Sequence, residues 1–297
     1  MKVSIIIPTY NGAHKLPGVL NALNQQTIKD FEVVVVVDGS TDNTAEVLDN
    51  YREKFSDFRT IFQDNRGRAA IRNRGAKEAQ GDVLIFFDDD MRPQPDCVER
   101  HISHHTHFPN SLMSGAQIDD YKIANTDFLK FKCFISRKWA QPLLQFQGKP
   151  LPLSSIHLTA ANFSISKSLF QQLGGFDERL RDCEDLDLAV RAFNKGLNIY
   201  YDHSVFAWHD DFPTVSSFIK RQNEYRVYLN KLIQLKTELY KDVPKTTDID
   251  RSFKQLIKEF VFGRKNWLSL INSNKFLFLP ANVRYKVYDL ILSTHIK

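Results

Sequence analysis

The segment Ile85-Phe-Phe-Asp-Asp-Asp90 places three consecutive carboxylates directly after a short apolar run. Such a run is typical of a strand buried on both faces, and open α/β sheets bind their ligands at the carboxyl ends of these strands. Adjacent carboxylates raise one another's pKa unless a cation neutralises them, and hard oxygen ligands suit Mg²⁺ or Mn²⁺. Asp88, Asp89 and Asp90 are therefore candidate residues for holding a metal-bound nucleotide. The alternative is a solvated acidic turn.

A fourth carboxylate, Asp38, ends a second apolar run, Phe31–Val37, which consists almost entirely of valine. At the tip of a strand a carboxylate can accept hydrogen bonds from ribose hydroxyls or from a base N–H. The residues that follow also have the composition of a turn, in which Thr41 or Asp42 would cap a helix that begins at residue 44. Both interpretations of Asp38 remain open on this pattern.

A further acidic pair, Glu184 and Asp185, follows a Gly-Gly-Phe-Asp segment much later in the chain. The pattern predicts a helix over Glu184–Lys195, so both carboxylates fall in its first turn, where the helix dipole favours negative charge. That position is a sufficient structural explanation. The Gly-Gly segment can also hold a tight turn against the edge of the sheet, which favours a functional role for the pair.

Histidines occur in two notable places. His209 comes after the predicted strand Asn198–Tyr201 and precedes two aspartates, so it is either a metal ligand or part of a surface turn. His101 and His105 are spaced i, i+4, which can form a metal-binding pair on a helix. The adjacent glutamate of a zinc hydrolase motif is absent. We therefore predict that the histidine-rich segment is a solvated helix face.

The elements that must position these residues alternate between strand and helix over the first hundred residues. The pattern predicts strands at Val3–Pro8, Phe31–Val37, Thr60–Gln63 and Asp82–Phe87, and helices over residues 13–26, 67–79 and 95–108. This alternation predicts a doubly wound, mostly parallel α/β sheet. Residues 119–157 are irregular, and we expect an insertion over one end of the sheet. Its aromatic side chains, which we expect to be exposed, are Phe128, Phe131, Phe134 and Trp139.

Five segments in this order resemble a family-2 inverting glycosyltransferase of the GT-A fold. The resemblance covers residues 1–210 and implies a nucleotide-sugar donor, a divalent Mn²⁺ or Mg²⁺ ion and inversion at the anomeric carbon. UDP-, GDP- and dTDP-sugars all fit the sequence, and a UDP-sugar is the donor that we expect. The matching segments are Val3–Asn11, Val36–Asp42, Asn65–Gly75, Phe86–Asp90 and Gly174–Leu188.

The resemblance also assigns residues to the donor site. Pro8 and Tyr10 would line the nucleotide pocket, and Asp38 would contact the base or the ribose. Asn65 and Arg72 would flank the donor. One departure is Ile71, which stands where the family usually has alanine.

The metal and the catalytic base follow from the same resemblance. Asp88 and Asp90 match the outer residues of the family's DxD motif, with Asp90 as the principal metal ligand, and Asp89 lies between them in the donor site. His209 matches a histidine that reaches back to the metal. Asp185, with Glu184 beside it, matches the general base, which removes the proton of the acceptor hydroxyl.

Composition bounds what else the chain does. It has 297 residues, of which 42% are hydrophobic and 25% charged, so wholesale disorder is excluded. Residues 1–215 carry 24 basic and 28 acidic side chains, net −4, whereas residues 216–297 carry 16 and 7, net +9. We therefore expect a catalytic domain over residues 1–214 and a basic, amphipathic helical region over 215–297. The halves 1–110 and 111–214 would bind the nucleotide sugar and the acceptor, and no nucleic acid is expected as a partner.

Three interpretations of the basic region remain open. Its helices would pack on the catalytic domain, pair with a second copy of the chain, or lie on an anionic membrane with aromatic residues at the headgroup level. The acceptor would be a cell-envelope glycan, a polysaccharide or a lipid-linked intermediate. The interleaved apolar residues are Phe253, Leu256, Ile257, Phe260, Trp267, Leu268, Phe276 and Phe278.

The cysteines and the apolar runs indicate a compartment. The three cysteines lie far apart with no CxxC pair, which excludes a disulfide framework and favours a reducing environment. Pro8 and Asn11 interrupt the first apolar run, and no stretch reaches the ~18 uncharged apolar residues of a membrane span. We expect a cytoplasmic protein, either free or peripheral on the inner face of the membrane.

Two other functions compete with sugar transfer. A nucleotidyltransferase that makes the activated sugar would use a similar sheet, but that class begins with a Gly-rich phosphate loop, whereas only Gly12 and Gly18 lie near the first strand. A non-catalytic nucleotide-sugar binder would lack the metal and base candidates, which are intact here. A dinucleotide oxidoreductase needs a G-x-G-x-x-G segment after a strand, and none occurs.

Overall fold

The computed structural model describes residues 1–243, 260–264 and 266–296. Its centre is a sheet of eight strands in the order β3-β2-β1-β4-β7-β6-β8-β5. The strands are β1 Val3–Thr9, β2 Glu32–Asp38, β3 Asp57–Gln63, β4 Val83–Phe87, β5 Met91–Pro93, β6 Ser111–Asp119, β7 Asn162–Ser166 and β8 Asn198–His209.

Helices connect the strands and extend beyond them. Short 3₁₀ helices lie at Arg52–Lys54, Gln141–Phe146 and Leu153–Ser155. The α-helices are α1 Leu16–Asn24, α2 Thr44–Asp49, α3 Arg68–Glu78, α4 Cys97–His107, α5 Asp127–Ala140, α6 Lys167–Gln172, α7 Glu184–Asn194, α8 Val215–Leu235, α9 Thr237–Tyr240, α10 Asn266–Asn272 and α11 Ala281–His295.

The directions of the strands bring the carboxyl ends of most strands to one edge of the sheet. Strands β3, β2, β1 and β4 pair in parallel, β7 is antiparallel to both β4 and β6, and β8 pairs in parallel with β6. The carboxyl ends of β1–β4, β6 and β8 therefore meet at the same edge. The antiparallel strands begin there, since Asn162 of β7 lies opposite Phe87 and Met91 of β5 lies opposite His209.

The valine run explains why β2 is an interior strand of the sheet. Every residue of β2 is buried. Val33 and Val35 belong to the apolar cluster that includes Leu16 and Leu20 of α1, whereas Val34 packs with Ile71 of α3 on the other face. Apolar side chains on both faces exclude water from the strand, which is the pattern that parallel sheets require. The predicted doubly wound sheet is confirmed.

The prediction of a solvated helix face is wrong for His101 and His105 of the histidine-rich segment. His101 and His105 of α4 are 0% and 3% exposed and face β7. The ring nitrogens of His101 lie 2.8 Å from Ser164 Oγ and 2.9 Å from Asn162 Oδ1, and His105 Nε2 lies 2.8 Å from the same Ser164 hydroxyl. Burial lowers the pKa of His101 to about 4, so the ring is neutral and serves as a hydrogen-bonding core residue.

Two further expectations need correction. Strand β8 continues through Phe206-Ala-Trp to His209, so that histidine ends a strand instead of lying in the turn after it. The aromatic residues of the insertion divide between two environments, because α5 is amphipathic. Phe128 and Phe131 are 5% and 1% exposed, whereas Phe134 and Trp139 are 42% and 55% exposed.

The described C-terminal helices pack on the rest of the chain through α5 and α7. Phe131 of α5 contacts Tyr285 and Tyr288 of α11, with ring centroids 5.8 and 5.6 Å apart. Arg284 donates two hydrogen bonds of 2.7 Å to Asp127, at the start of α5. Of the predicted apolar set, Phe253, Leu256 and Ile257 lie outside the described residues. Within residues 1–243, 260–264 and 266–296, no helix combines the length and hydropathy needed to cross a membrane.

Candidate active site

The shared edge of the sheet collects the polar residues singled out by the sequence. Asp38 ends β2, Asp88–Asp90 follow β4, and His209 ends β8. Asp185 reaches the same edge from α7, because its Oδ2 accepts a hydrogen bond of 3.2 Å from the backbone N–H of Ala160, two residues before β7. The topology therefore brings residues up to 171 positions apart, Asp38 and His209, to one side of the sheet.

Asp38 is buried and accepts hydrogen bonds from the segment that leads into α3. Its Oδ1 accepts hydrogen bonds from Gln63 Nε2 at 2.7 Å and from the backbone N–H of Arg66 at 2.9 Å. Its Oδ2 accepts a hydrogen bond of 2.9 Å from the backbone N–H of Gly67. Asn65 donates to the Asp38 carbonyl at 3.0 Å. The carboxylate thus fixes the loop beside the site.

The turn after Asp38 also forms as its composition predicts. Helix α2 begins at Thr44, and Asp42 Oδ1 accepts a hydrogen bond of 3.2 Å from its backbone N–H. Asn11 accepts a hydrogen bond of 2.8 Å from the backbone N–H of Thr41, which ties this turn to the end of β1. Tyr10, which lies between the last residue of β1 and Asn11, is 53% exposed at the edge of the sheet.

Arg72 connects the aspartate triplet to the acidic pair of α7. Its guanidinium is 4% exposed and donates to Asp88 Oδ1 at 2.5 Å and to Glu184 Oε1 at 2.6 Å. Burial alone would raise the pKa of Asp88, but the charge of Arg72 outweighs it and lowers that pKa. Glu184 forms an ion pair with Arg72, and its negative charge acts on the adjacent carboxylate of Asp185.

Asp185 has the environment of a base. Its Oδ1 accepts a hydrogen bond of 2.8 Å from the backbone N–H of Leu186, and its Oδ2 that from Ala160. Burial, followed by the negative charge of Glu184, raises the pKa of Asp185 to about 6. The preceding residue, Cys183, has φ of 62° and is buried, a conformation that costs on the order of 1–3 kcal/mol and is common at functional sites.

Lys15 faces the other two aspartates of the triplet. Its Nζ lies 3.4 Å from Asp89 Oδ1 and 3.3 Å from Asp90 Oδ2, and Thr9 donates a hydrogen bond of 2.7 Å to Asp89 Oδ2. Burial raises the pKa of Asp89 to about 6 despite the ammonium. A Cβ at Gly12 would lie 2.0 Å from Thr9 Oγ1, so the loop that carries Lys15 requires glycine there. The sequence prediction did not include Lys15.

A second pair that the sequence prediction missed, Asp119 and Lys132, supports His209. The Nε2 of His209 lies 3.7 Å from Asp90 Oδ1, and its Nδ1 lies 3.6 Å from Asp119 Oδ1. Lys132 of α5 donates to Asp119 Oδ1 at 2.7 Å, and Ser136 donates to Asp119 Oδ2 at 2.6 Å. Burial raises the pKa of Asp119, but His209 and Lys132 lower it overall to about 2. The available signal was an aspartate at the end of an apolar run.

The donor set suits a divalent ion that shares ligands with a phosphate. In the described part of the chain, no three His, Cys, Asp or Glu side chains are grouped so as to hold a metal by themselves. Mg²⁺ is commonly bound by one or two carboxylates together with substrate phosphates and water. Asp90 supplies a carboxylate, and His209 has the partner expected of a metal-bound histidine, since its other nitrogen faces a carboxylate.

Comparisons with known proteins identify the family of this chain. The model of glycosyl transferase family 2 matches residues 4–174. The uncharacterised glycosyltransferase YfnE of Bacillus subtilis (strain 168) is 40% identical over 260 residues, which cover 72% of this chain and 66% of YfnE, just under two thirds of that relative.

Solved structures resemble the fold over nearly its whole length. The mannosyltransferase PcManGT from Pyrobaculum calidifontis, solved with GDP-Man and Mn²⁺, superposes with a TM-score of 0.67 at 18% identity and covers 99% of this chain and 84% of its own. S. aureus TarS 1–349 with UDP gives a TM-score of 0.56 at 16% identity, covering 100% and 89% of the two chains. The sheet is the GT-A fold, and the chain belongs to glycosyl transferase family 2.

Proposed function

We propose that this protein is an inverting, metal-dependent glycosyltransferase that moves a sugar from a nucleotide-sugar donor to a hydroxyl group of an acceptor. The observation that carries the proposal is the buried Arg72, which binds Asp88 on the donor side and Glu184 beside the candidate base. A rigid bridge of this kind keeps the two acidic clusters apart at a fixed separation. Inverting transfer needs that separation, because the acceptor attacks from the side opposite the departing diphosphate.

Asp185 is the proposed base. With a pKa of about 6 its carboxylate is deprotonated at neutral pH and able to accept a proton. As the acceptor oxygen bonds to the anomeric carbon, its proton passes to Asp185, and the electron pair of the breaking C–O bond leaves with the diphosphate. Glu184 acts through its charge, which raises the basicity of its neighbour.

Asp90, Asp88 and His209 are the proposed metal ligands. A bound Mn²⁺ or Mg²⁺ would supply positive charge to the diphosphate as it departs. The contacts of Asp90 and His209 support this role, and Arg72 already engages Asp88, which orients that carboxylate. Asp119 and Lys132 hold the histidine in place.

The donor pocket is proposed at the ends of β1 and β2. Tyr10, exposed at the edge, offers a ring for a base to stack on, and Pro8 precedes it in β1. The remaining proposed contacts to the donor come from residues on both sides of this pocket, namely Asp38, Asn65, Arg72, Asp88 and Asp89. We propose a UDP-sugar as the donor, which agrees with the UDP bound by TarS, whereas the GDP-Man bound by PcManGT represents the competing nucleotide.

We further propose that residues 1–214 are the catalytic domain, with the donor half over 1–110 and the acceptor half over 111–214, and that 215–297 form an accessory helical region. The proposed acceptor is a cell-envelope glycan, a polysaccharide or a lipid-linked intermediate, and the proposed location is the cytoplasm or the inner face of the membrane.

The function is tested by supplying UDP-sugars and GDP-sugars with Mn²⁺ and measuring release of the nucleoside diphosphate. We expect release from one donor class, together with a Mn²⁺-dependent rise in thermal stability for the same nucleotide only. A parallel reaction with a nucleoside triphosphate and a sugar 1-phosphate examines the nucleotidyltransferase alternative. Pyrophosphate in that reaction, or nucleotide binding without turnover of any donor, would overturn the proposal.

A further inference from the structure

The surface where α5 meets α11 exposes an unusual number of apolar side chains. Besides Trp139 near the end of α5, these two helices and the segments before them carry six aromatic and aliphatic residues that are 42–80% exposed. Monomeric proteins rarely leave such residues grouped unless they form a binding surface. We call this set the α5–α11 face, and it consists of Tyr121, Ile123, Phe134, Leu277, Phe278 and Val283.

The contacts between the helices show that these residues lie near one another. Asp127, at the start of α5, binds Arg284, which also donates to the Leu279 carbonyl at 2.6 Å. The two exposed residues Phe278 and Val283 are the chain neighbours of Leu279 and Arg284. Further along α5, the ring of Phe134 lies 5.5 Å from that of Tyr285. The exposed residues of both helices therefore flank the same helix–helix contact.

Basic side chains border the same surface. The Nζ of Lys130 lies 5.8 Å from the centre of the Tyr121 ring, and Lys122, Lys275 and Lys286 are exposed in the same segments. A second copy of the chain is a poor occupant, because a two-fold dimer would bring these lysines against one another. Exposed aromatic residues surrounded by lysines suit the headgroup region of an anionic bilayer.

The face also adjoins the active site. Asp119 ends β6 at the catalytic edge, and Asp120 begins the turn that leads to Tyr121 and Ile123. Arg92 holds Asp120 at 3.3 Å, which fixes the start of that turn beside the site. A surface placed here would orient the acceptor side of the cleft towards whatever it binds.

We propose that the α5–α11 face binds the surface of an anionic lipid bilayer, so that the active site opens towards a membrane-borne acceptor. The bilayer contact is inferred from the exposed apolar and basic side chains of the face, whereas the class of acceptor rests on the proposed function. Contact is peripheral, through side chains that enter the headgroup region.

Vesicle flotation of the full-length chain tests the contact. We expect flotation with phosphatidylglycerol-containing vesicles but not with pure phosphatidylcholine, and a decrease as salt is raised. Each of Lys122→Ala and Lys286→Ala should weaken partitioning about fivefold at low salt, since a basic residue near the surface contributes ~1 kcal/mol. Protein that stays unbound with anionic vesicles at low salt, while its circular dichroism is native, overturns the proposal.

Matched double variants locate the contact. L277S/V283S removes apolar residues that are 55% and 43% exposed from the face, and L235S/V227S removes residues that are 53% and 47% exposed from α8. We expect the first pair to lose flotation and the second to retain it. Equal losses in both pairs would contradict the assigned location, and a change in molar mass for the first pair would identify a dimer interface instead. Flotation requires no turnover, so it fails or succeeds independently of the transferase activity.

Discussion

At the scale of single residues, the site depends on carboxylates whose roles are set by their neighbours. Asp88 is held by Arg72 and has a lowered pKa, whereas Asp185, beside Glu184 and half-buried, has a pKa of about 6. Because the two pKa values are shifted in opposite directions, the carboxyl groups are suited to different tasks. Asp88 remains ionised, and Asp185 can exchange a proton.

The first prediction concerns Asp185→Asn. The amide keeps the shape of the side chain but cannot accept the acceptor's proton, so we expect transfer to fall by ~10²–10⁴-fold with donor binding retained. Calorimetric titration of the nucleotide with Mn²⁺ gives the binding, and initial rates give the transfer. Transfer at near-normal rates would show that another group is the base.

The second prediction is the pH dependence of kcat/KM. The folded-state pKa of Asp185 lies above its ordinary value, and the active form is the carboxylate, so activity should be complete at neutral pH and decline as pH falls through about 6. At one pH unit below that value, kcat/KM should be about tenfold lower than at neutral pH. A rate profile without an acid limb near 6, over a range where the circular dichroism is constant, would contradict the assignment.

The third prediction tests Asp119, which sequence reasoning did not single out. Asp119→Asn removes the charge that faces His209, and loss of such a partner typically lowers metal affinity by ~10–100-fold. The readout is the Mn²⁺ dependence of UDP binding. The matched control is Asp127→Asn, also a buried carboxylate in an ion pair, which should reduce stability and leave Mn²⁺ affinity unchanged. If both variants change Mn²⁺ affinity equally, the effect is global.

At the scale of elements, runs of valine and isoleucine predicted the central strands well, because burial on both faces leaves a direct trace in the sequence. The triplet Asp88–Asp90 and Asp38 were found for the same reason, since each follows such a run. Lys15 and Lys132 were not, because a lysine is informative only once its partner is known. Their carboxylate partners lie 74 and 13 positions away, on other elements.

The histidines of α4 show the same limit more sharply. Spacing along a helix could not reveal that His101 faces Ser164 and Asn162, which lie more than 60 positions later. From the sequence alone, a polar side chain is predicted to be exposed, because its buried hydrogen-bond partners are not evident. Tertiary contacts therefore reversed the prediction for α4, although its position as a helix was correct.

The fourth prediction follows from that buried network. His101→Ala leaves a cavity and removes partners from Ser164 and Asn162, so we expect a loss of roughly 2–4 kcal/mol in the free energy of unfolding. His107→Ala is the control, because it changes the same residue type on the same helix at an exposed position. Urea denaturation measures both. A similar, small effect in the two variants would mean that the His101 contacts contribute little.

At the scale of the whole molecule, the net charge of +9 over residues 216–297 is consistent with helices that pack on an acidic body. Lys236 binds Asp187 and Asp177, and Arg221 binds Asp182, so basic residues of the C-terminal helices neutralise carboxylates around α7. Leu229 and Leu232 of α8 pack with Cys183 and Val190, so this part of the chain supports the helix that begins at the candidate pair Glu184 and Asp185. Packing of this kind joins the basic region to the site.

The fifth prediction tests whether the C-terminal helices and the sheet also unfold together, as their packing implies. Arg284→Met leaves Asp127 buried with Tyr288 as its remaining donor, at 2.9 Å, and removal of one partner of a buried ion pair typically costs roughly 3–5 kcal/mol. The double variant that adds Asp127→Leu should recover part of this loss, since no buried charge is then left without a partner. Because α11 packs directly on α5, we expect one calorimetric transition that moves to lower temperature as a unit. Two separate transitions, of which Arg284→Met shifts only the smaller, would show that the C-terminal helices fold independently of the catalytic sheet.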